Sequence, residues 1–282
     1  MKSSRESALD TFLVDELTID DESSFRHVAL HGDLKQVLRD AGYRFRVLPP
    51  ELAGRWERAQ LLNLSFWGAD TGGDVLVDRL LPADVLAHAA WHHLAHRALA
   101  GAPGTPPTAS ALFLGEAIAS AFDLYLVGRL LGHAPDSSFL ETQVPAMADA
   151  AEAAGLSADD FEALLEGVAR DPERAFADLR ELLSDTTAAL FASGSVEEAL
   201  AALVRFDNHR FAALLHHYEL SNWVLYARAY AKSSPELEAR VEAVDHAMRA
   251  APVALDWLVA EWVMPALRSG RGPDEAGAGG RR

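Results

Sequence analysis

The chain has 282 residues, of which half are hydrophobic and 24% are charged, and its formal net charge is −17. This acidic surplus argues against nucleic acid and anionic membranes as partners, because both attract basic surfaces. The sequence contains no cysteine. Disulfides and thiolate metal sites are therefore excluded, and any metal ion must be bound by imidazole and carboxylate groups.

The N-terminal segment lacks the long apolar stretch of a secretory signal, and no run of about 18 apolar residues is free of charge. We therefore expect a cytoplasmic protein without a membrane span. Only three of the 25 basic residues are lysines, and alanine is abundant. Together these features indicate a GC-rich bacterial genome.

The first third of the chain predicts short elements. Residues 1–24 are polar and acidic, and we expect them to be partly flexible. Hydrophobic spacing predicts a helix over 25–41, a short strand over 43–50 and a second helix over 51–67. Residues 74–81 are predicted to form another short strand or an extended segment.

From Pro82 onward the pattern is helical. Pro82 and Asp84 favour a helix start, and the helix they open has no breaker before Gly101. A Gly/Pro-rich loop over 101–110 separates it from an apolar helix. Later helices are predicted at 111–132, 139–154, 158–170, 172–192, 195–204, 207–232, 235–250 and 252–268, with Ser157 and Asp171 as N-caps.

These elements predict a mainly α fold. We expect one compact multi-helix domain over 25–268, with at most a small β-hairpin before the histidine-rich helix. The remaining residues, 269–282, have nothing apolar to bury and are predicted to be disordered.

A ladder of histidines runs along the helix that follows Pro82. Asp84, His88, His92 and His96 are four residues apart, so they lie near one face and drift by roughly 40° per step. His92 and His96 can therefore bind one metal ion from consecutive turns. His93 points about 100° away, and we expect His93 or His88 to transfer protons.

Glu116 is the acid expected to complete this site. It lies in an otherwise apolar helix, where a carboxylate needs a partner. The loop over 101–110 is short enough to make the two helices an antiparallel hairpin, which would bring Glu116 to the histidines as a third ligand. Ser120 and Asp123 share its face, and either residue can orient an imidazole.

A structural role for the same residues is left open. Glu116 can instead form an ion pair between helices, with a histidine or with Arg97 or Arg129. The histidines would then line a helix interface as a hydrogen-bonded or pH-responsive network.

The segment HHLAH at 92–96, followed by Glu116 in GEAIASAFD, resembles the zinc metallopeptidases of the gluzincin type. The resemblance covers about 40 residues. It implies zinc held by His92, His96 and Glu116. That family uses a glutamate directly after the first histidine as general base, and this chain has His93 there.

A second histidine group lies on the predicted helix 207–232. His209 and His216 share a face, and Glu219 is three residues from His216. Facing helices that carry histidine and carboxylate build di-iron and di-manganese sites in bundles, although the usual paired Glu-x-x-His pattern is absent. An interface or surface role is the alternative for these residues.

The sequence therefore predicts a helical metalloprotein with Zn²⁺ or Fe²⁺, acting as a hydrolase or as an O₂-using enzyme. The alternative is a non-catalytic binding or scaffold protein. Nucleotide-binding and serine-hydrolase motifs are absent. A small-molecule or peptide substrate is expected, with no nucleic acid or membrane partner, and homo-oligomer formation is left open.

Overall fold

A computed structural model of the protein describes residues 9–60, 72–102 and 105–270. Within these ranges the chain is mainly α-helical with two small sheets, which confirms the predicted fold class. The first eight residues, residues 61–67 of the second predicted helix and most of the predicted tail lie outside the described residues.

The sheets are built from strands that are distant in the chain. The strands are β1 (Asp10–Leu13), β2 (Thr18–Asp20), β3 (Arg44–Val47), β4 (Gly72–Leu76) and β5 (Leu80–Pro82). β3 pairs antiparallel with β1 and parallel with β4, while β2 pairs parallel with β5. The strands therefore form two small sheets and not the predicted hairpin. β1 and β2 both lie within residues 1–24, which were predicted to be partly flexible, and each pairs in one of the two sheets.

The helices follow the predicted order. They are α1 (Ala29–Asp40), α2 (Trp56–Gln60), α3 (Ala83–Leu99), α4 (Ala109–Leu130), α5 (Ser138–Ala153), α6 (Ala158–Arg170), α7 (Pro172–Ala192), α8 (Val196–Val204), α9 (Leu220–Tyr230), α10 (Pro235–Ala250), α11 (Ala254–Leu258) and α12 (Met264–Gly270). A π-helical turn, Val259–Val263, joins α11 to α12.

Side-chain caps set two of the predicted helix starts. Ser157 accepts a hydrogen bond from the backbone N–H of Asp160 at 3.2 Å. Asp171 accepts one from the backbone N–H of Arg174 at 3.0 Å. Both residues are therefore N-caps, as predicted, because each satisfies a backbone donor that the first helical turn leaves unpaired.

α4 is the central helix of the fold. By length and composition alone it could span a membrane, but 94% of its most apolar window is buried inside the protein. A helix that is apolar all round is typical of a protein core. α4 packs against α3, α6 and α7, which enclose it.

The prediction of one continuous helix over 207–232 is wrong, since only Leu220–Tyr230 within it is α-helical. The structure has turns at 205–211, a 3₁₀ segment at Ala212–Tyr218 and then α9. Between the last two, Glu219 adopts the left-handed conformation with φ 49° and ψ 43°. A residue in this conformation cannot continue a right-handed helix, so the chain changes direction there.

α3 and α4 pack antiparallel, as predicted from the short loop over 101–110 that connects them. A Cβ atom on Gly115 would lie 3.4 Å from that of Ala95, so the two backbones approach closely at this level. Further along, the rings of Trp91 and Phe122 meet edge to face at 5.4 Å. This packing turns the histidine face of α3 toward the acidic face of α4.

Candidate metal site

Three side chains on α3 and α4 converge on one point. The Nε2 atom of His92 lies 3.1 Å from Nε2 of His88 and 3.3 Å from Oε1 of Glu116. One ligand atom from each residue lies within 4.8 Å of the other two, close enough to hold a metal ion. The two histidines are four residues apart and so come from consecutive turns of α3.

Two of the three separations between the ligand atoms fit tetrahedral coordination. Ligand atoms about 2.0–2.1 Å from a zinc ion are separated by about 3.3 Å along each tetrahedral edge. The two edges that meet at Nε2 of His92, 3.1 and 3.3 Å, are close to that value.

Asp123 orients the ring of His88. The Nδ1–H of His88 donates to Oδ2 of Asp123 at 3.0 Å, which leaves Nε2 facing the other two ligand atoms. A carboxylate on the outer nitrogen of a ligating imidazole fixes its tautomer and raises its basicity. Asp123 comes from α4, two turns after Glu116, so both helices contribute to the arrangement.

The pKa values of the two histidines are shifted in opposite directions. Burial lowers the pKa of His88, but the charge and hydrogen bond of Asp123 and the charges of Glu116 and Asp74 outweigh it and raise this pKa to about 9. Burial, together with the charge on His88, lowers the pKa of His92 well below its usual value. Without a metal, a protonated His88 therefore donates its Nε2–H to a neutral His92.

The pKa of Glu116 also depends on burial and on the charges of its neighbours. Burial raises its pKa to about 7, since the opposing charge of His88 is offset by the charges of Asp123 and Asp74. Near pH 7 Glu116 is therefore partly protonated, beside a neutral His92. A divalent cation would supply the positive charge that this buried carboxylate lacks.

The site is buried on one side and open on the other. The side chains of His92 and Glu116 are 6% and 8% exposed, whereas that of His88 is 26% exposed. Asp123 is exposed to a similar degree. Solvent therefore reaches the group from the His88 side.

The other predicted residues of α3 and α4 lie outside this group. His96 is half-buried in the last turn of α3 and is not among the three converging ligands. His93 is buried, with its ring edge-on to Tyr43 at 5.7 Å. Ser120 is buried on α4, and among the described residues Asp123 provides the hydrogen bond to His88.

The second predicted cluster does not join the site through the residues expected. His216 and Glu219 are exposed, and His209 lies in the turns before the 3₁₀ segment. Burial lowers the pKa of the neighbouring His217 and raises that of Tyr218, and the charge of Asp123 acts on both. The prediction assumed α-helical periodicity here, which the 3₁₀ turn and the break at Glu219 replace.

Two carboxylates near the site were not predicted as site residues. Asp74 on β4 accepts a hydrogen bond from the hydroxyl of Tyr43 at 2.8 Å, and burial raises its pKa. Asp84, one turn before His88, has its pKa raised to about 6 by burial and by the charge of Asp123. In the sequence, Asp74 is the first residue of the apolar segment 74–81. That position is the feature that could have marked it as a candidate.

Neither a protein-family model nor a curated protein nor a solved structure matches this chain. The resemblance to gluzincins therefore rests on the local pattern alone. The structure supports a His/His/Glu group, but its histidines are 88 and 92 rather than 92 and 96. The residue after the first histidine of this pair is Ala89, which cannot act as a base.

Proposed function

We propose that the protein is a metal-dependent enzyme whose ion is bound by His88, His92 and Glu116. The observation that carries the proposal is the convergence of these three ligand atoms within 4.8 Å at the junction of α3 and α4. Zn²⁺ is the ion we favour, because the distances from Nε2 of His92 to the other two ligand atoms match tetrahedral edges and the donor set is two nitrogens and one oxygen.

The number of protein ligands favours catalysis over a structural role. Structural zinc sites are usually closed by four protein ligands, whereas catalytic sites have three and leave one position for water or substrate. The partial exposure of His88 gives that position access to solvent. An ion bound here would polarise a water molecule, the chemistry that hydrolytic zinc sites use.

The substrate we propose is a small molecule or a peptide that reaches the site from the His88 side. Peptidase activity of the gluzincin type has less support, because both candidate general-base positions lack a glutamate: His93 follows His92 and Ala89 follows His88. Hydrolysis at this site would need a base from another element.

The first experiment measures metal content and affinity. Protein stripped with a chelator is titrated with Zn²⁺ by calorimetry, and its metal content is measured by elemental analysis after dialysis. We expect one ion per chain in the wild type and loss of that ion in His88→Gln and Glu116→Gln. A ligand change should cost more than the 10–100-fold in affinity that loss of an outer hydrogen-bond partner costs.

His96→Gln is the matched control. It changes the same residue type on the same helix, one turn beyond the group, and should retain full stoichiometry. Loss of zinc in His96→Gln with retention in His88→Gln would contradict the structural ligand set and favour the pair at 92 and 96. Circular dichroism melts show whether each variant is folded.

A non-catalytic role is the second candidate, and the chain of contacts Asp123–His88–His92 favours it. These groups satisfy one another by hydrogen bonding without an ion. Protein that takes up neither Zn²⁺ nor Fe²⁺, and whose stability is unaffected by chelators, would support a scaffold or binding protein with a pH-responsive histidine network. An absorption change on adding Fe²⁺ and O₂ would instead indicate an O₂-using enzyme.

A further inference from the structure

α8 carries a row of exposed apolar side chains. Val196, Leu200 and Val204 are four residues apart and are 79%, 62% and 57% exposed. Residues with this spacing lie near one face of a helix, here the face roughly opposite the buried Ala202. α8 packs against α7, and the row is left in contact with solvent. Single exposed apolar residues are common, but several that adjoin one another are typical of an interaction surface.

A groove lies beside this row. It has a volume of about 630 Å³, and its apolar lining includes Leu190 of α7, Leu203 of α8 and Leu215 of the 3₁₀ segment. Leu203 is three residues after Leu200 and one before Val204, so it joins the row to the groove. The same face of the molecule therefore offers both a projecting row of side chains and a cavity that can receive such a row.

The two ends of α8 carry opposite charges. Glu197 lies in its first turn, and Arg205 follows its last residue. Among the described residues neither has an ion-pair partner, and Arg205 donates to the carbonyl of Ala202 at 3.4 Å and lies over the ring of Phe206. Two α8 helices packed antiparallel would bring the acidic end of each next to the basic end of the other. Parallel packing would instead place like charges together.

We propose that this face binds a second copy of the chain, with the two α8 helices antiparallel about a two-fold axis near Leu200. In such an isologous dimer the same patch serves on both sides. The row of one copy enters the groove of the other, and Glu197 of each copy pairs with Arg205 of the other. A second copy carries both the row and the groove, so it needs no surface beyond those described. The proposal does not rest on the proposed function.

The net charge of −17 per chain opposes self-association, so the attraction must be local. At about 0.15 M salt, exposed charges more than about 8 Å apart are largely screened from one another. The apolar contacts and the Glu197–Arg205 pairs act over shorter distances. We therefore expect the dimer at that salt concentration, and the test is made there.

The test measures association of the full, metal-free chain by sedimentation equilibrium over a wide range of protein concentration. We expect a concentration-dependent equilibrium between monomer and dimer. Leu200→Glu should raise the dimer dissociation constant by at least about 10²-fold, because two apolar contacts are lost and two carboxylates approach each other near the axis. Met264→Glu is the matched control. It adds the same charge at an exposed apolar residue of α12, and should leave the dissociation constant unchanged.

Charge reversal tests the antiparallel arrangement. Glu197→Arg and Arg205→Glu should each raise the dissociation constant by about 2–30-fold, the effect of losing two exposed ion pairs. The double variant carries both changes and should return the constant to near its wild-type value. Circular dichroism shows whether each variant is folded. If Leu200→Glu fails to fold, Val196→Glu takes its place, since Val196 is more exposed.

Three outcomes would overturn the proposal. The first is a chain that stays monomeric at every concentration, and the second is a dimer that the Leu200→Glu and Val196→Glu changes leave intact. The third is a double charge variant that associates no more tightly than the single ones, because the proposal requires antiparallel helices. Since the protein is measured without metal, each of these results leaves the proposed metal site unaffected.

Discussion

Asp123 shows how one side chain can set the geometry of its neighbours. Its carboxylate receives the Nδ1–H of His88 and so directs Nε2 of that ring toward His92. The neutral state of His92 follows from the positive charge next to it and from its burial. One interhelical hydrogen bond thus influences both the orientation and the charge of the ligand atoms.

Asp123→Asn should weaken Zn²⁺ binding by about 10–100-fold, because the amide cannot raise the basicity of His88 or select its tautomer as a carboxylate does. Calorimetric titration measures the change. Ser120→Ala is the matched control, since it alters the same face of α4 without touching the hydrogen bond to His88, and its affinity should stay near that of the wild type. Equal losses in both variants would indicate a packing effect.

Residue chemistry identified the histidines and acids, but not which of them meet. The ladder at 88, 92 and 96 permits either neighbouring pair to bind an ion, since both have the same spacing. The rotation of α4 against α3 decides between them. That rotation depends on the packing of Ala95 on Gly115 and Trp91 on Phe122, which no local pattern encodes.

At the scale of elements, the close crossing of α4 and α6 holds α4 in place. A Cβ atom on Gly128 would lie 2.7 Å from the carbonyl oxygen of Val168 and 3.0 Å from Cβ of Pro172. Real Cβ atoms do not approach backbone so closely, so the helices would have to separate. The glycine permits the contact that fixes α4 next to α6 and the start of α7.

Gly128→Ala should destabilise the protein by about 1–3 kcal/mol, the usual cost of overpacking in a core. Gly167→Ala provides the control, because it is also a helical glycine but has no heavy atom within 4 Å of the added Cβ. There the better helix propensity of alanine should stabilise by about 0.5–1 kcal/mol. Urea denaturation measures both, and a neutral Gly128→Ala would contradict the close crossing.

The segment between α8 and α9 shows where periodicity misleads. Its histidines and aromatic residues have helical spacing, and the predicted helix was continuous through Glu219. The chain instead takes a 3₁₀ path and a left-handed residue, which leaves His216 exposed and His217 and Tyr218 half-buried. Packing against α5 overrides local propensity here.

For the whole molecule, the site makes stability depend on pH. The pKa of Glu116 is raised to about 7, that of Asp84 to about 6 and that of His88 to about 9. Each folded-state pKa exceeds its usual value, so the folded state binds more protons than the unfolded chain over these ranges. By linkage, stability falls as pH rises wherever the folded state holds more protons.

Metal-free protein should therefore lose thermal stability between about pH 6.5 and pH 9, through His88 and, up to about pH 7, Glu116. Below about pH 6.5 the lowered pKa of His92 has the opposite sign and opposes the contributions of Glu116 and Asp84. Tm measured in chelator at several pH values tests this. Glu116→Gln should flatten the lower part of the curve. Saturating Zn²⁺ should reverse the trend, because it binds the deprotonated ligands. A Tm that rises with pH in the absence of metal would count against the buried charges described.

By itself the sequence determined the helical class, the positions of the main helices, the two capped starts and the set of residues able to bind an ion. These follow from local causes: hydrophobic period, caps and the lack of cysteine. Only the tertiary structure decided that His88, rather than His96, converges with His92 and Glu116, and that Asp123 is the residue that hydrogen-bonds to His88. Those facts depend on how elements distant in the chain rotate and pack against one another, and packing of this kind is collective rather than local.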